Sequence, residues 1–198
     1  KGPDTYYQGR RPTGIYIPRY RNIGEQEGFL RGFGFQGAVS RMGWRSSALG
    51  LPGIGADLKA RTRKLGPWFA YVSGFGEMLP NPDNRVTLDK TRKDNWGIPL
   101  VNIACAHGAN EAKISAQIIN DGKAMIQAAG GMVVSVATEP APPGMGIHEM
   151  GTACMGKDPK KSVLNKYNQA HDVPNLFVTD GSAMASSGCQ NPSLTYMA

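Results

Sequence analysis

Only three cysteines occur in the 198 residues, Cys105, Cys154 and Cys189, and no two form a C-x-x-C pair. They are too few for a disulfide framework in a chain of this size and say nothing firm about the redox compartment. No apolar run approaches the roughly 18 residues of a membrane span. Lys1-Gly2-Pro3-Asp4 does not begin a signal peptide, and there is no initiator Met. The compartment stays open, periplasmic and secreted locations included. There is no internal repeat and no low-complexity tract.

What is present suits a folded chain: 40% hydrophobic residues in 198 can bury a real core. Twenty-two Lys and Arg against 15 Asp and Glu give a formal charge of +7, which reads either as attraction for an anionic partner or as a basic solvated face.

Along the chain, extended segments are expected at residues 14–18, 29–39 and 68–72. GLPGIG (50–55) reads as a loop, followed by a short polar segment with Lys59, Arg61, Arg63 and Lys64. LPNPDN (79–84) is dense turn chemistry, and residues 85–89 then alternate polar and apolar as a half-buried strand does. A second strand over 100–106 follows a turn at 93–97, which suggests antiparallel pairing. A helix stands out where Asn110 can cap, Glu111 suits the first turn, and Ile114, Ile118, Met125, Ile126 and Ala129 recur at helical spacing before Gly130-Gly131. Gly122 weakens its middle. Short β-rich runs are expected at 132–137 and 175–179, separated by the loop EPAPPGMG (139–146). The fold class is α+β, an antiparallel sheet with flanking helices and a loop-rich C-terminal third.

RGFGFQG (31–37) fits two unrelated signatures. Gly32, Gly34 and Gly37 satisfy a dinucleotide-binding G-x-G-x-x-G, but that turn needs a hydrophobic strand before it and a helix after it, and the flanks NIGEQEGFLR and AVSRMGWRSS supply neither. Arg31, Phe33 and Phe35, with Tyr16 in Ile15-Tyr16-Ile17, resemble base-stacking strands of an RNA-binding module, though Gln36 and Ala38 depart from that motif. The third reading is a strand whose glycines permit bulges or close packing.

GIHEMGTACMG (146–156) carries more chemistry. His148-Glu149 invites comparison with H-E-x-x-H, but Thr152 stands where a second zinc ligand belongs. Taken in order, GIHEMGTACMG, SVLN (162–165), VPNLFVTDGS (173–182) and CQNPSLT (189–195) resemble the C-terminal signature of the glucose-methanol-choline (GMC) flavoprotein oxidoreductases. A weaker resemblance to the family's substrate-binding domain runs upstream through NPDNRVTLD, DNWGIPL, the helix and AAGG.

The resemblance implies roles. His148 would take the hydroxyl proton of an alcohol whose carbon passes hydride to flavin N5, and Asn191 would hydrogen-bond the same oxygen. Imidazole suits proton transfer near neutral pH, whereas an amide is no base. Asp180 and Gly181 would touch the ribityl and pyrophosphate region of FAD, with Asn191, Pro192 and Ser193 opening a helix beneath the flavin ring. No ADP-binding fingerprint occurs in a credible context, so residues 1–138 are expected to be a partial substrate-binding domain. Residues 139–198 would be a catalytic, flavin-contacting segment that breaks off as a helix begins, and the remainder of the FAD-binding domain would be a partner. The NPSLT run most resembles sugar-oxidising members similar to pyranose oxidases and bacterial sugar or gluconate dehydrogenases, making a sugar or polyol the expected substrate and an electron acceptor a further partner. Trp44, Trp68 and Phe75 are candidates for stacking on a sugar ring. A basic nucleic-acid-binding module and a non-catalytic remnant of the fold are the competing readings.

Overall fold

The computed structural model describes residues 14–41, 50–63 and 66–198. Trp44, Lys64 and the first four residues lie outside them. Three strands, β1 (Ile15–Ile17), β2 (Phe33–Arg41) and β3 (Trp68–Gly76), form an antiparallel sheet in the order β1-β2-β3, with helix α1 (Gly55–Thr62) between the last two in sequence. Strands β4 (Arg85–Lys93) and β5 (Pro99–Ala104) make a separate hairpin, followed by the long helix α2 (Ala109–Ala128) and the short helix α3 (Ser193–Met197). The α+β class holds.

The glycines of RGFGFQG are explained by packing. Strand side chains alternate between faces, so Phe33 and Phe35 share one face of β2, where they are 0% and 1% exposed. With Phe29 and Ile114 they form the main core, against which Ile17, Val72, Ile118 and Met125 pack. The register sets Phe33 opposite Gly76 and Phe35 opposite Gly74. A Cβ on Gly74 would stand 2.2 Å from Ile118 Cγ2, and one on Gly76 would stand 2.6 Å from Ile114 Cγ2. Large residues on β2 beside glycines on β3 thus cut the groove that seats α2. Gly122 lies over the same strands, but a Cβ there would make only ordinary contact, 3.6 Å, with Phe35 and Val72.

Buried Phe33 and Phe35 cannot stack on bases, which overturns the RNA-binding reading of Arg31, Phe33, Phe35 and Tyr16. Arg31 instead lies 3.7 Å from the Glu77 carboxylate at the end of β3. The dinucleotide-turn reading also fails, because β2 continues as strand through Gly37 to Arg41 where a helix would have to start.

Helix α2 begins one residue before Asn110. Gly108 occupies the cap position and donates its N–H to Glu111 Oε2 at 2.7 Å, while Glu111 Oε1 accepts from Leu79 N–H at 2.9 Å. Asn110 brackets the backbone of Leu30 instead, accepting its N–H and donating to its carbonyl. At the other end Gly130, at φ 77°, and Gly131 return their N–H groups to Gln127 and Ile126 in a Schellman motif. Residues 51–54 are loop as expected, and helix α1 forms over the polar segment that follows. It buries no residue, and its eight positions carry one large apolar side chain, Leu58, too little to mark a helix by spacing. The runs at 132–137 and 175–179 are not strands: Met132 and Val134 are well exposed, and the second run contributes one isolated bridge, Gln169 to Phe177. Neither has a neighbouring strand to complete a ladder among the described residues.

Asp121, near the middle of α2, fixes the helix to the segment after β1. It accepts from Tyr20 Oη at 2.6 Å, Arg21 Nε at 2.9 Å, Arg21 Nη2 at 3.0 Å and Gln117 Nε2 at 2.8 Å. Burial pushes its carboxyl up, but the hydrogen bonds from Arg21, Tyr20 and Gln117 outweigh burial and hold it below the usual range. Burial and the Asp121 contact push the Tyr20 hydroxyl up to about 12.

Two predictions follow from the packing. Gly74→Ala forces Ile118 to move and destabilises the fold by about 1–3 kcal/mol, the cost of overpacking, measured by urea unfolding; an unchanged midpoint contradicts it. Asp121→Asn lowers stability at pH 7 by roughly 2 kcal/mol, the scale of hydrogen bonds to a charged group. Because the folded-state carboxyl is depressed, that stabilisation is present above the unfolded value of about 3.9 and is lost as pH falls through the folded one. The gap between wild type and variant should therefore close on acidification below about pH 4.

Candidate active site

The face of the sheet turned away from α2 carries Tyr16 on β1, Gly34, Gln36 and Ala38 on β2, and Phe69, Tyr71, Ser73 and Phe75 on β3, by the alternation and register of the strands. The C-terminal segment returns to this face. A Cβ on Gly34 would stand 2.9 Å from Ile17 O and 3.1 Å from Cys189 Sγ, so a side chain there would press on both β1 and the returning segment. Tyr16 contacts Cys189 and Gln190; partial burial and then the Cys189 thiol push its hydroxyl up, and the hydrogen bond with Gln190 pulls the other way. Gln36 Nε2 donates to Asn191 Oδ1 at 3.2 Å. Three consecutive residues, Cys189, Gln190 and Asn191, are thus held by the first two strands.

His148 reaches the same face. Its ring lies 6.2 Å from that of Phe75, tilted by 32°. Phe75 pairs with Gly34 and Ser73 pairs with Gln36, so the rows carrying His148 and Asn191 are neighbours, about 7 Å apart along the strands. The structure therefore sets both residues expected from sequence to do the chemistry against one face of the sheet, although 43 positions separate them. Trp68 falls on the opposite face of β3 with Arg41 over its ring at 5.8 Å, so of the described stacking candidates only Phe75 faces the site.

The loop that presents His148 is tied from both sides. Glu149 Oε1 accepts from the N–H groups of Gly146 and Ile147 at 2.9 and 3.2 Å. Ile147 sits at φ 59°, a left-handed conformation that a β-branched residue rarely adopts. Backbone bonds then run from Gly151 N to Gly181 O, Ala153 N to Ser182 O and Met155 N to Ala183 O at 3.2, 2.9 and 2.9 Å. Leu164, Ala170 and Ala183 form a small core of their own beneath, with Met155 and Val178 against it.

The expected cofactor-contacting residues divide into two kinds. Asp180 is exposed and accepts from Ser182 N and Oγ at 2.8 and 2.5 Å, which holds its carboxyl below the usual range. Asn191 and Ser193 are also exposed, and Pro192 is the residue before α3 rather than its first turn. Ser193 and Leu194 head the helix, where N–H groups have no intrahelical acceptor. Gly181 by contrast is buried, and a Cβ there would stand 2.7 Å from Tyr196 Oη and 3.0 Å from Glu149 O. Its contribution here is close approach between the histidine loop and α3. Exposed polar groups around an open helix start are a donor set compatible with a nucleotide cofactor. Sequence reasoning missed Gln36, Cys189 and Tyr196; for Gln36 the signal was its alternation with Phe33 and Phe35, which puts it on the uncovered face.

Comparison with known proteins agrees with the C-terminal pattern. The GMC oxidoreductase family matches residues 80–198, and this chain belongs to that family. It is 32% identical over 203 residues to 2-methyl-1,2-propanediol dehydrogenase of Mycolicibacterium austroafricanum, covering 96% of this chain and 35% of that protein. It is 35% identical over 162 residues to the fructose dehydrogenase large subunit of Gluconobacter japonicus, covering 80% and 28%. It is 27% identical over 149 residues to the gluconate 2-dehydrogenase flavoprotein of Pantoea cypripedii, covering 72% and 24%. The chain thus spans about a third or less of these relatives' length.

Replacing Gly181 by Ala should pry the histidine loop from α3. The expected cost is about 1–3 kcal/mol of overpacking, read as at least about fivefold faster hydrogen exchange at the Ala153 and Met155 amides. Unchanged protection there would show that the turn does not hold the loop.

Proposed function

We propose that the chain forms the substrate-facing part of a flavin-dependent oxidoreductase that oxidises a CH–OH group of a sugar or polyol. The observation that carries this reading is the arrival of His148 and Asn191 on one face of the sheet, one through Phe75 and the other through Gln36. Membership of the GMC family, which is generally flavin-dependent, and the sugar and polyol names of relatives support it.

Oxidising an alcohol to a carbonyl removes a proton from oxygen and a hydride from carbon. FAD, when bound, supplies the acceptor for the hydride at N5. His148 takes the hydroxyl proton, because imidazole is the only base of the pair. Asn191 hydrogen-bonds the same oxygen and fixes the carbon it belongs to, which is the positioning that makes transfer efficient. Phe75, against the His148 ring, limits the imidazole's rotation and gives the sugar an apolar wall. Asp180 and Ser193, exposed beside the start of α3, would meet the cofactor's polar groups, and Gly181 would hold the turn that carries them. In this reading residues 1–138 belong to the substrate-binding domain, residues 139–198 form the catalytic segment, and the FAD-binding domain and an electron acceptor are the remaining partners. No helix among the described residues is long and apolar enough to cross a membrane.

In the flavin-loaded protein, His148→Ala should leave flavin content unchanged and slow flavin reduction by a sugar or polyol about 10²–10⁴-fold, the range for losing a general base. Stopped-flow absorbance measures both quantities. Reduction at the wild-type rate removes His148 from the mechanism.

A further inference from the structure

The hairpin of β4 and β5 is sorted into two faces by its sequence. Side chains alternate along a strand and directly opposed residues share a face, and the register pairs Val86 with Ile103 and Leu88 with Val101. These four aliphatic side chains therefore form one face. Over the same rows the other face carries Arg85, Thr87, Asn102 and Ala104. There Asn102 Nδ2 donates to Thr87 Oγ1 at 3.5 Å and Arg85 donates to Asp83, both pairs in solvent. Alternation of this kind belongs to an antiparallel sheet with one solvated face and one packed on a core.

The packed side is missing among the described residues. Val86, Leu88, Val101 and Ile103 are 49%, 65%, 59% and 68% exposed. No residue of either strand is buried, and neither core includes one. The hairpin takes its shape from its own polar network. Asp94 accepts from the N–H groups of Trp96 and Ile98 in the turn, Asp89 accepts from those of Thr91 and Arg92 where the register shifts, and Asn84 exchanges two hydrogen bonds with Ala106 at the base. Such bonds fix a conformation, but a two-stranded hairpin without apolar burial is marginal in water. The aliphatic face needs a cover.

Its size decides what kind of cover. Four rows of about 3.4 Å on two strands about 4.8 Å apart make a patch roughly 14 Å by 10 Å, far below the about 800 Å² that each partner buries in a stable dimer. A second copy held by this face alone would not stay bound. A domain of the same polypeptide meets no comparable association cost, because the linkage keeps it at high effective concentration. This chain spans 35% and 28% of two dehydrogenase relatives, so most of the length of such a protein is left to supply the cover. We infer that the face formed by Val86, Leu88, Val101 and Ile103 is the docking surface for the flavin-binding domain, which seats an apolar surface of its own on it. The inference rests on the reading above, in which a flavin-binding domain is this chain's partner. It adds where that domain takes hold: on the hairpin, a different sheet from the one that meets His148 and Asn191.

The test uses the full-length, flavin-loaded protein. Leu88→Cys and Ile103→Cys each put a thiol on the aliphatic face, and Thr87→Cys puts one on the polar face. Maleimide labelling is followed by peptide mass mapping, which counts Cys105, Cys154 and Cys189 separately. Flavin content and the unfolding midpoint establish that each variant folds. Positions 88 and 103 should label at least about tenfold more slowly than position 87, at a rate unchanged by dilution. Labelling as fast as at position 87 means a bare face, and slow labelling that speeds up on dilution means a second copy; either overturns the inference. A second measurement needs no substitution. Protein grown on photo-leucine, a near-isosteric diazirine analogue of leucine, is irradiated, and the cross-links of the peptide holding Leu88 are mapped. Cross-links into the flavin-binding domain support the assignment; cross-links only within residues 1–198, or none, overturn it. His148→Ala, run in parallel, separates the two ideas. If it abolishes flavin reduction while position 88 labels as fast as position 87, the site stands and only the docking role fails. If reduction survives while Leu88 cross-links to the flavin-binding domain, the docking role stands and the catalytic role of His148 falls. A full-length protein that binds no flavin removes both.

Discussion

A three-stranded sheet has two faces, and this one can give one of them to a helix only because Gly74 and Gly76 leave room for Ile118 and Ile114. The packing around this sheet is arranged about that asymmetry. Phe33 and Phe35 fill the helix side, and Asp121 fixes α2 to the segment after β1 through Arg21 and Tyr20. The hydrophobic side being satisfied, the other face is left to polar and aromatic side chains, Gln36, Ser73, Tyr16, Tyr71 and Phe75. A surface of that composition is suited to a ligand with hydroxyls and a ring.

The C-terminal segment has a different source of order. It has little regular secondary structure, and its shape comes from backbone bonds between residues 151–155 and 181–183, from the small core around Leu164, and from the close fit at Gly181. Contacts at Phe75, Gly34, Tyr16 and Gln36 bring it to the sheet. A loop-rich segment holding the chemistry and a sheet aiming it is a common division of labour, since loops supply variable side chains and a sheet supplies rigidity. The left-handed Ile147 immediately before His148 is a local cost borne at the point where the imidazole must project.

Much of the architecture was readable from the sequence. The long helix showed in the spacing of Ile114, Ile118 and Met125, and the hairpin in the turn residues around Asp94 and Gly97. The ordered motifs from His148 to Asn191 named the family. Helix α1 was not readable, because it is short, buries nothing and carries only Leu58 as a large apolar side chain. The runs at 132–137 and 175–179 misled because β propensity does not create a strand without a neighbour to pair with. The alternation of Gln36 with Phe33 and Phe35 is a local signal for its face, but its contact with Asn191 spans 155 positions and arises from register and chain return. RGFGFQG shows the limit best: its spacing matched two nucleotide-binding signatures, and only the burial of its phenylalanines and the neighbours of its glycines revealed a packing motif.

The central claim is that the uncovered face of the sheet, with His148 and Asn191 on it, is where an alcohol oxygen is held. A crystal structure of the flavin-loaded protein with a non-oxidisable sugar or polyol analogue tests this directly. The account predicts one ligand oxygen within about 3 Å of both the His148 imidazole and the Asn191 amide nitrogen, with the ligand lying against Phe75. A ligand bound with its oxygens away from this face, or a His148 imidazole turned from it, would contradict the account.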